Sequence, residues 1–153
     1  MSDLRAPYRR TGRLEGQCLC GSVTIKVDGD HVAALGACHC LMCQRWTGTV
    51  FMAFEAAAGS VSVTGPAVTH QTSGFAERAF CGTCGSALWL RNLGDGADYE
   101  LMPGLFPDAA AFPLVSEIYI DRAPAYVPLA GDHPRKTRAV YEARNLFVEG
   151  DAR

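Results

Sequence analysis

The sequence predicts a mainly β fold on three observations. The 16 glycines and 8 prolines among 153 residues make about one residue in six, above the globular average, which marks a turn-rich chain. Apolar residues recur mostly at every second position, the period of a half-buried strand. The periodic stretches are short and closed by turn residues, as in β-rich, sandwich-like folds. At 48% apolar and 20% charged the composition is globular rather than disordered, and the length points to one domain.

The elements follow in order. Residues 1–14 read as an arm. Val23, Ile25 and Val27 alternate with Thr24 and Lys26 in a strand that stops at Asp28-Gly29. Leu41–Trp46 is a short helical turn directly after Cys40. Thr49–Ala57 is apolar enough for a strand buried on both faces. Ser60–Thr64 alternates and ends at Gly65-Pro66, and Ala67–Ser73, Ala87–Arg91, Tyr99–Met102 and Ser116–Asp121 are further strands. Residues 131–153 open on a Gly-Asp-His-Pro turn and carry modest helical character over Ala139–Phe147. Neither repeats nor low-complexity tracts occur.

Charge excludes some functions. With 14 basic and 16 acidic residues the formal charge is −2, so no global field favours nucleic acid or an anionic membrane. Arg5, Arg9, Arg10 and Arg13, and separately Arg135, Lys136 and Arg138, read as solvated terminal segments. No secretory signal is read in the first 20 residues, which hold four arginines, and no apolar run is long enough to span a bilayer. The expected setting is cytoplasmic and reducing, where seven cysteines call for something other than disulfides.

Those seven fall into three groups: Cys18-Leu-Cys20, Cys38-His-Cys40-Leu-Met-Cys43 and Cys81-Gly-Thr-Cys84. Cys81-x-x-Cys84-Gly85 has the form of a metal knuckle, in which two intervening residues let both sulfurs reach one ion. A redox pair is the other reading, but that motif opens a helix, whereas Gly-Ser-Ala-Leu-Trp-Leu follows here. Cys18 and Cys20 are the natural complement, because alternate residues of an extended segment share one face. A four-cysteine structural zinc site results, with rubredoxin-type iron as the other candidate.

Cys38, Cys40 and Cys43 remain. Three ligands with one position open characterise an exchangeable or catalytic zinc. His39, His70 or His133 could instead close a second structural site, although His39, between two cysteines, points away from their ion. Three thiolates leave zinc a weak Lewis acid, better suited to a soft fourth ligand such as a thiol than to making hydroxide. Motifs of zinc deaminases, zincins, serine hydrolases and P-loops do not occur, and Gly94-Asp-Gly96 reads as a turn. Arg45 could grip a carboxylate or form a surface salt bridge. Phe51, Phe54, Phe80 and Trp89 read as core rather than pocket, and Gly48 as relief for a tight turn.

Gly16-Gln-Cys18-Leu-Cys20-Gly21-Ser-Val, Cys38-His-Cys40-Leu-Met-Cys43-Gln-Arg45-Trp-Thr-Gly48 and Arg78-Ala-Phe80-Cys81-Gly-Thr-Cys84-Gly85-Ser resemble the glutathione-dependent formaldehyde-activating enzyme and centromere protein V family. The resemblance covers roughly residues 15–130 and leaves 1–14 and 131–153 as terminal extensions. It implies a Mss4-like β-tent built on a structural zinc, a cytoplasmic location and two zinc ions. Cys18, Cys20, Cys81 and Cys84 would hold the structural zinc, and Cys38, Cys40 and Cys43 the second, labile and catalytic one. The implied activity is that of a carbon–sulfur lyase joining glutathione and formaldehyde to S-hydroxymethylglutathione. A non-catalytic zinc module, with a vestigial or thiol-binding second site, is the alternative. Against the family pattern, Gln44-Arg45 stands where two basic residues are frequent, Glu117 where a His is common, and Ala125 where a Trp often follows the Pro. A small thiol such as glutathione is the expected partner, with no membrane or nucleic acid.

Overall fold

The computed structural model describes residues 3–146 and residue 148. In chain order the strands and helices are β1 (Arg9–Gln17), β2 (Thr24–Val32), β3 (Leu35–Cys38), α1 (Leu41–Thr47), β4 (Phe51–Ala56), β5 (Val61–Thr64), β6 (Ala67–Gln71), β7 (Ala76–Cys81), β8 (Ala87–Asn92), β9 (Tyr99–Leu101), β10 (Leu114–Ile118), β11 (Arg135–Lys136) and α2 (Arg138–Glu142). The fold is mainly β. Two compact units divide it: the chain up to Leu35 with Ala53–Pro113, and Gly36–Met52 with the chain from Leu114.

In the first unit β1 pairs antiparallel with β2 along its whole length, from Arg9↔Val32 to Gln17↔Thr24, and β2 pairs with β5. Strands β6, β7, β8 and β9 follow one another antiparallel, and β9 pairs with the Phe54–Ala56 end of β4. Period-two patterning decides which faces turn inward. Ile25 and Val27 are buried and Lys26 between them is exposed. They join Leu14, Val23, Phe54, Leu88, Trp89, Leu101 and Phe106 in one core. Phe54 anchors it, meeting Phe106 and Phe112 edge-on at ring separations of 5.1 and 5.4 Å. Burying such a ring contributes about 1.5–3 kcal/mol.

The second unit is smaller. β10 and β11 pair in parallel over Glu117↔Arg135 and Ile118↔Lys136. α1 starts at Cys40 and stops at Gly48, whose φ of 83° is the left-handed cap that glycine adopts without strain. Tyr119 follows β10 at φ 57°, a conformation uncommon for a bulky residue. Its hydroxyl donates to Glu142 Oε1 at 3.0 Å and its ring packs on Tyr141.

Several boundaries differ from the sequence reading. Residues 9–14 are not an arm but two thirds of β1. β2 does not stop at Asp28-Gly29; it runs on to Val32 because Gly29, at φ 142°, pairs with Gly12 and keeps the ladder intact. β3, β7 and β11 carry no sequence signal. β7 buries Arg78 and is shifted in register between Ala79 and Phe80, so its alternation is broken. Phe51, Phe54 and Trp89 are buried, but Phe80 is 38% exposed and does not belong to the core. Helix occupies Arg138–Glu142, overlapping the expected Ala139–Phe147 only over 139–142, and Phe147 lies outside the described residues.

Candidate metal centres

The first centre is made by two turns of similar construction. Cys18 follows β1 and Cys81 ends β7. In each turn the first cysteine's carbonyl accepts a bond from a glycine N–H, Gly21 at 3.0 Å and Gly85 at 2.8 Å. Those glycines have φ of 76° and 77°. Each turn then reads Cys-Gly-Ser, as Cys20-Gly21-Ser22 and Cys84-Gly85-Ser86. The glycine N–H bond closes each turn so that the two sulfurs of a pair face one site, and glycine takes up the left-handed backbone without strain.

The four sulfurs gather within 4.8 Å of one another. Cys18 and Cys20 Sγ are 3.5 Å apart, and Cys20 and Cys81 Sγ are 3.9 Å apart. A tetrahedral ion with Zn–S bonds of 2.3 Å requires about 3.8 Å between sulfurs, and a disulfide requires about 2.05 Å. All seven cysteines are free. Backbone N–H groups point at the sulfurs: Val23 at Cys18 (3.3 Å), and Thr83 and Cys84 at Cys81 (3.4 and 3.5 Å). Ser22 Oγ lies 2.9 Å from Cys20 Sγ, and Ser86 Oγ 3.2 Å from Cys84 Sγ. The Ser86 hydroxyl is the main reason the Cys84 thiol falls to about 5. For Cys18 burial pulls upward most strongly, but the Val23 N–H and neighbouring groups outweigh it and bring the thiol to about 7. This donor set fits an ion that binds thiolates.

Cys38, Cys40 and Cys43 form the second centre, also with sulfurs within 4.8 Å. Cys38 ends β3, Cys40 caps α1, and Cys43 lies in its first turn, with its N–H 3.4 Å from Cys40 Sγ. The neighbouring thiols Cys38 and Cys43, first of several influences, hold Cys40 down at about 3. The same contacts push Cys38 well up. Three thiols so close resist full ionisation, which is the electrostatic setting that a divalent cation relieves. Among the described residues no fourth His, Cys, Asp or Glu joins the group.

None of the three proposed histidines closes the site. His39 is fully buried and its Nε2 meets Glu117 Oε2 at 2.8 Å. His133 Nε2 meets Glu117 Oε1 at 2.6 Å, and His70 is exposed in β6. Gln44 donates from Nε2 to the carbonyls of His39 (2.5 Å) and Arg122 (3.0 Å), while Arg45 is exposed on α1. Ser22, Ser86, Glu117 and Arg135 escaped the sequence reading as site residues, and His133 entered it only as a possible metal ligand. The serines had a visible signal, the repeated Cys-Gly-Ser; Arg135 had the opposite one, reading as solvated although its Nε lies 2.9 Å from buried Glu117.

Fold and sites together define a mainly β protein with two clusters of thiols able to hold metal ions. The family model for the glutathione-dependent formaldehyde-activating enzyme matches residues 13–122, and the chain belongs to that family of lyase-like enzymes. An uncharacterized lyase of Schizosaccharomyces pombe is 32% identical over 111 residues, covering 72% of this chain and 80% of the relative. A Halomonas elongata protein named for glutathione-dependent formaldehyde activation is 28% identical over 86 residues, half of this chain and 55% of the other. A Rhodobacter sphaeroides protein of known crystal structure superposes with a TM-score of 0.52 at 23% identity, covering 66% of this chain and 99% of that one; this likeness concerns the fold. Among the described residues no helix is long and apolar enough to cross a membrane.

Proposed function

We propose that the chain is a zinc-dependent carbon–sulfur lyase acting on the adduct of a small thiol with an aldehyde, glutathione and formaldehyde in the family's named reaction. The observation that carries this reading is the group of three convergent thiols without a fourth protein ligand among the described residues. Cys18, Cys20, Cys81 and Cys84 hold a structural zinc, and Cys38, Cys40 and Cys43 a second, labile one, both within a domain spanning residues 15–130. A zinc ion at the second centre supplies a soft open position at which a thiol binds as its thiolate.

What the chain contributes is placement. Cys38, Cys40 and Cys43 are fixed by the end of β3 and the first turn of α1, and the Cys43 N–H steadies Cys40 Sγ. In the synthetic direction sulfur bonds to the carbonyl carbon and its proton ends on the oxygen; lysis reverses both changes. The addition is facile in water, so holding the two reactants together is the main gain. Free thiols throughout accord with a reducing, cytoplasmic setting.

Exchange between glutathione, formaldehyde and their adduct, measured by NMR, tests the reading. Wild type accelerates it and Cys40→Ser returns it to the buffer rate. Equal rates in all three remove the activity and leave a non-catalytic metal module.

A further inference from the structure

We propose that Glu117, held by His133 and Arg135, is a positioning residue for the Cys38/Cys40/Cys43 centre, acting through His39. The inference rests on the reading of those cysteines as a metal centre, and it extends that centre past residue 130.

His39 is the residue between two of the three thiols, and it is fixed at three points. Its N–H donates to Ile118 O at 3.1 Å, its carbonyl accepts from Gln44 Nε2 at 2.5 Å, and its ring meets Glu117 Oε2 at 2.8 Å. In an extended segment the flanking side chains point opposite to the middle one. Anchoring His39 to Glu117 therefore holds the sulfurs of Cys38 and Cys40 to the other side. A mobile imidazole would leave that peptide free to rotate and the two sulfurs free to separate.

Glu117 is itself only 1% exposed, and a bare carboxylate there would be costly. Both its oxygens are used: Oε2 by His39, and Oε1 by His133 Nε2 at 2.6 Å and Arg135 Nε at 2.9 Å. The carboxylate only accepts, so both imidazoles carry their proton on Nε2, and Arg135 supplies the balancing positive charge. The supporting segment is anchored in turn. Pro134 O accepts from Glu117 N at 3.0 Å, and Arg135 Nη2 donates to Leu129 O and Gly131 O, each at 3.0 Å. A side chain at Gly131, whose φ is +114°, would come within 3.1 Å of His133 Nδ1. His133 and Arg135 lie beyond the 13–122 region of family likeness, so this bracing belongs to the chain's own C-terminal segment.

The test is titration of the metal-free full chain with cobalt(II), followed by thiolate-to-cobalt absorption and by competition with a chelator. The four-cysteine centre serves as internal reference. In Glu117→Gln and in His133→Ala the second equivalent should bind about 10–100-fold more weakly, with its visible bands shifted and the first equivalent within about twofold of wild type. The double variant should lose no more than the worse single one, because both act through one carboxylate. Arg135→Lys, altered at a partly exposed position, provides a milder variant and should lose less than either. Second-equivalent affinity unchanged in all variants overturns the inference while the metal-centre reading stands. Parallel weakening of both equivalents overturns it in favour of a general structural role. A wild type that binds a single equivalent removes the metal-centre reading, and the inference with it.

Discussion

His133 Nε2 stands 2.6 Å from Glu117 Oε1, a buried bond that joins the polar stretch after residue 130 to the strand beside the three-cysteine centre. Burial, the largest influence on Glu117, pushes its carboxyl up, but the bonds from His133 and His39 and the charge of Arg135 prevail and hold it below the ordinary 4.5.

The sign of the resulting pH dependence follows. A carboxylate with a depressed folded value stabilises fully above the ordinary value and loses that contribution as pH falls through the folded one. Melting temperatures from pH 7 to pH 3 should show wild type losing its advantage over Glu117→Gln below about pH 4.5. At neutral pH the variant should be less stable by roughly 2 kcal/mol. A constant difference across that range would rule out the carboxylate as the source.

Metal removal should unfold the first unit. Binding at a four-thiolate structural zinc is worth on the order of 10 kcal/mol, comparable with the stability of a whole domain. Cys81→Ser, or a strong chelator on wild type, should abolish the cooperative melt seen by circular dichroism. A melt that survives chelation unchanged contradicts a structural ion at Cys18, Cys20, Cys81 and Cys84.

Gly65 should not tolerate a side chain. Its φ is +103°, and a Cβ there would lie 1.9 Å from Ser22 O, in the turn that carries Cys20. Gly65→Ala should cost about 2–4 kcal/mol in urea unfolding. Gly59→Ala, with no atom within 4 Å of its Cβ, should stay within about 0.5 kcal/mol of wild type.

Phe54→Ala removes a ring that is 1% exposed and packed edge-on against Phe106 and Phe112. It should destabilise by about 3–5 kcal/mol. Phe80→Ala, at 38% exposure, should cost no more than about 1 kcal/mol. Comparable losses at both positions would contradict this division between core and surface.

The legible parts of the molecule share one property, that their cause is local. The cysteine groupings could be read because ligands of one turn are neighbours in the chain, and the half of β2 around Ile25 and Val27 because one face is buried. β7 was hidden by a buried arginine and a register shift, neither of which an alternation pattern records. β11, two residues long, exists only through its pairing with β10. The support of His39 was the least legible. Glu117 lies 78 residues from His39 in sequence and 16 from His133, and nothing in a polar C-terminal stretch distinguishes a solvated arginine from one neutralising a buried carboxylate.

The spacing of the two cysteine clusters also orders events during synthesis. Cys38, Cys40 and Cys43 are all available once the ribosome has released residue 43, whereas the other cluster joins positions 61 residues apart, Cys20 and Cys81, and waits for Cys84. At 5–20 residues per second the lag is about 2–8 s. Through that interval the three-cysteine cluster is the only one with its full set of thiols, yet Glu117, His133 and Arg135 emerge later still. A growing chain thus completes its three-thiol group, able to hold a metal ion, before the four-thiol group and before the residues proposed to brace it.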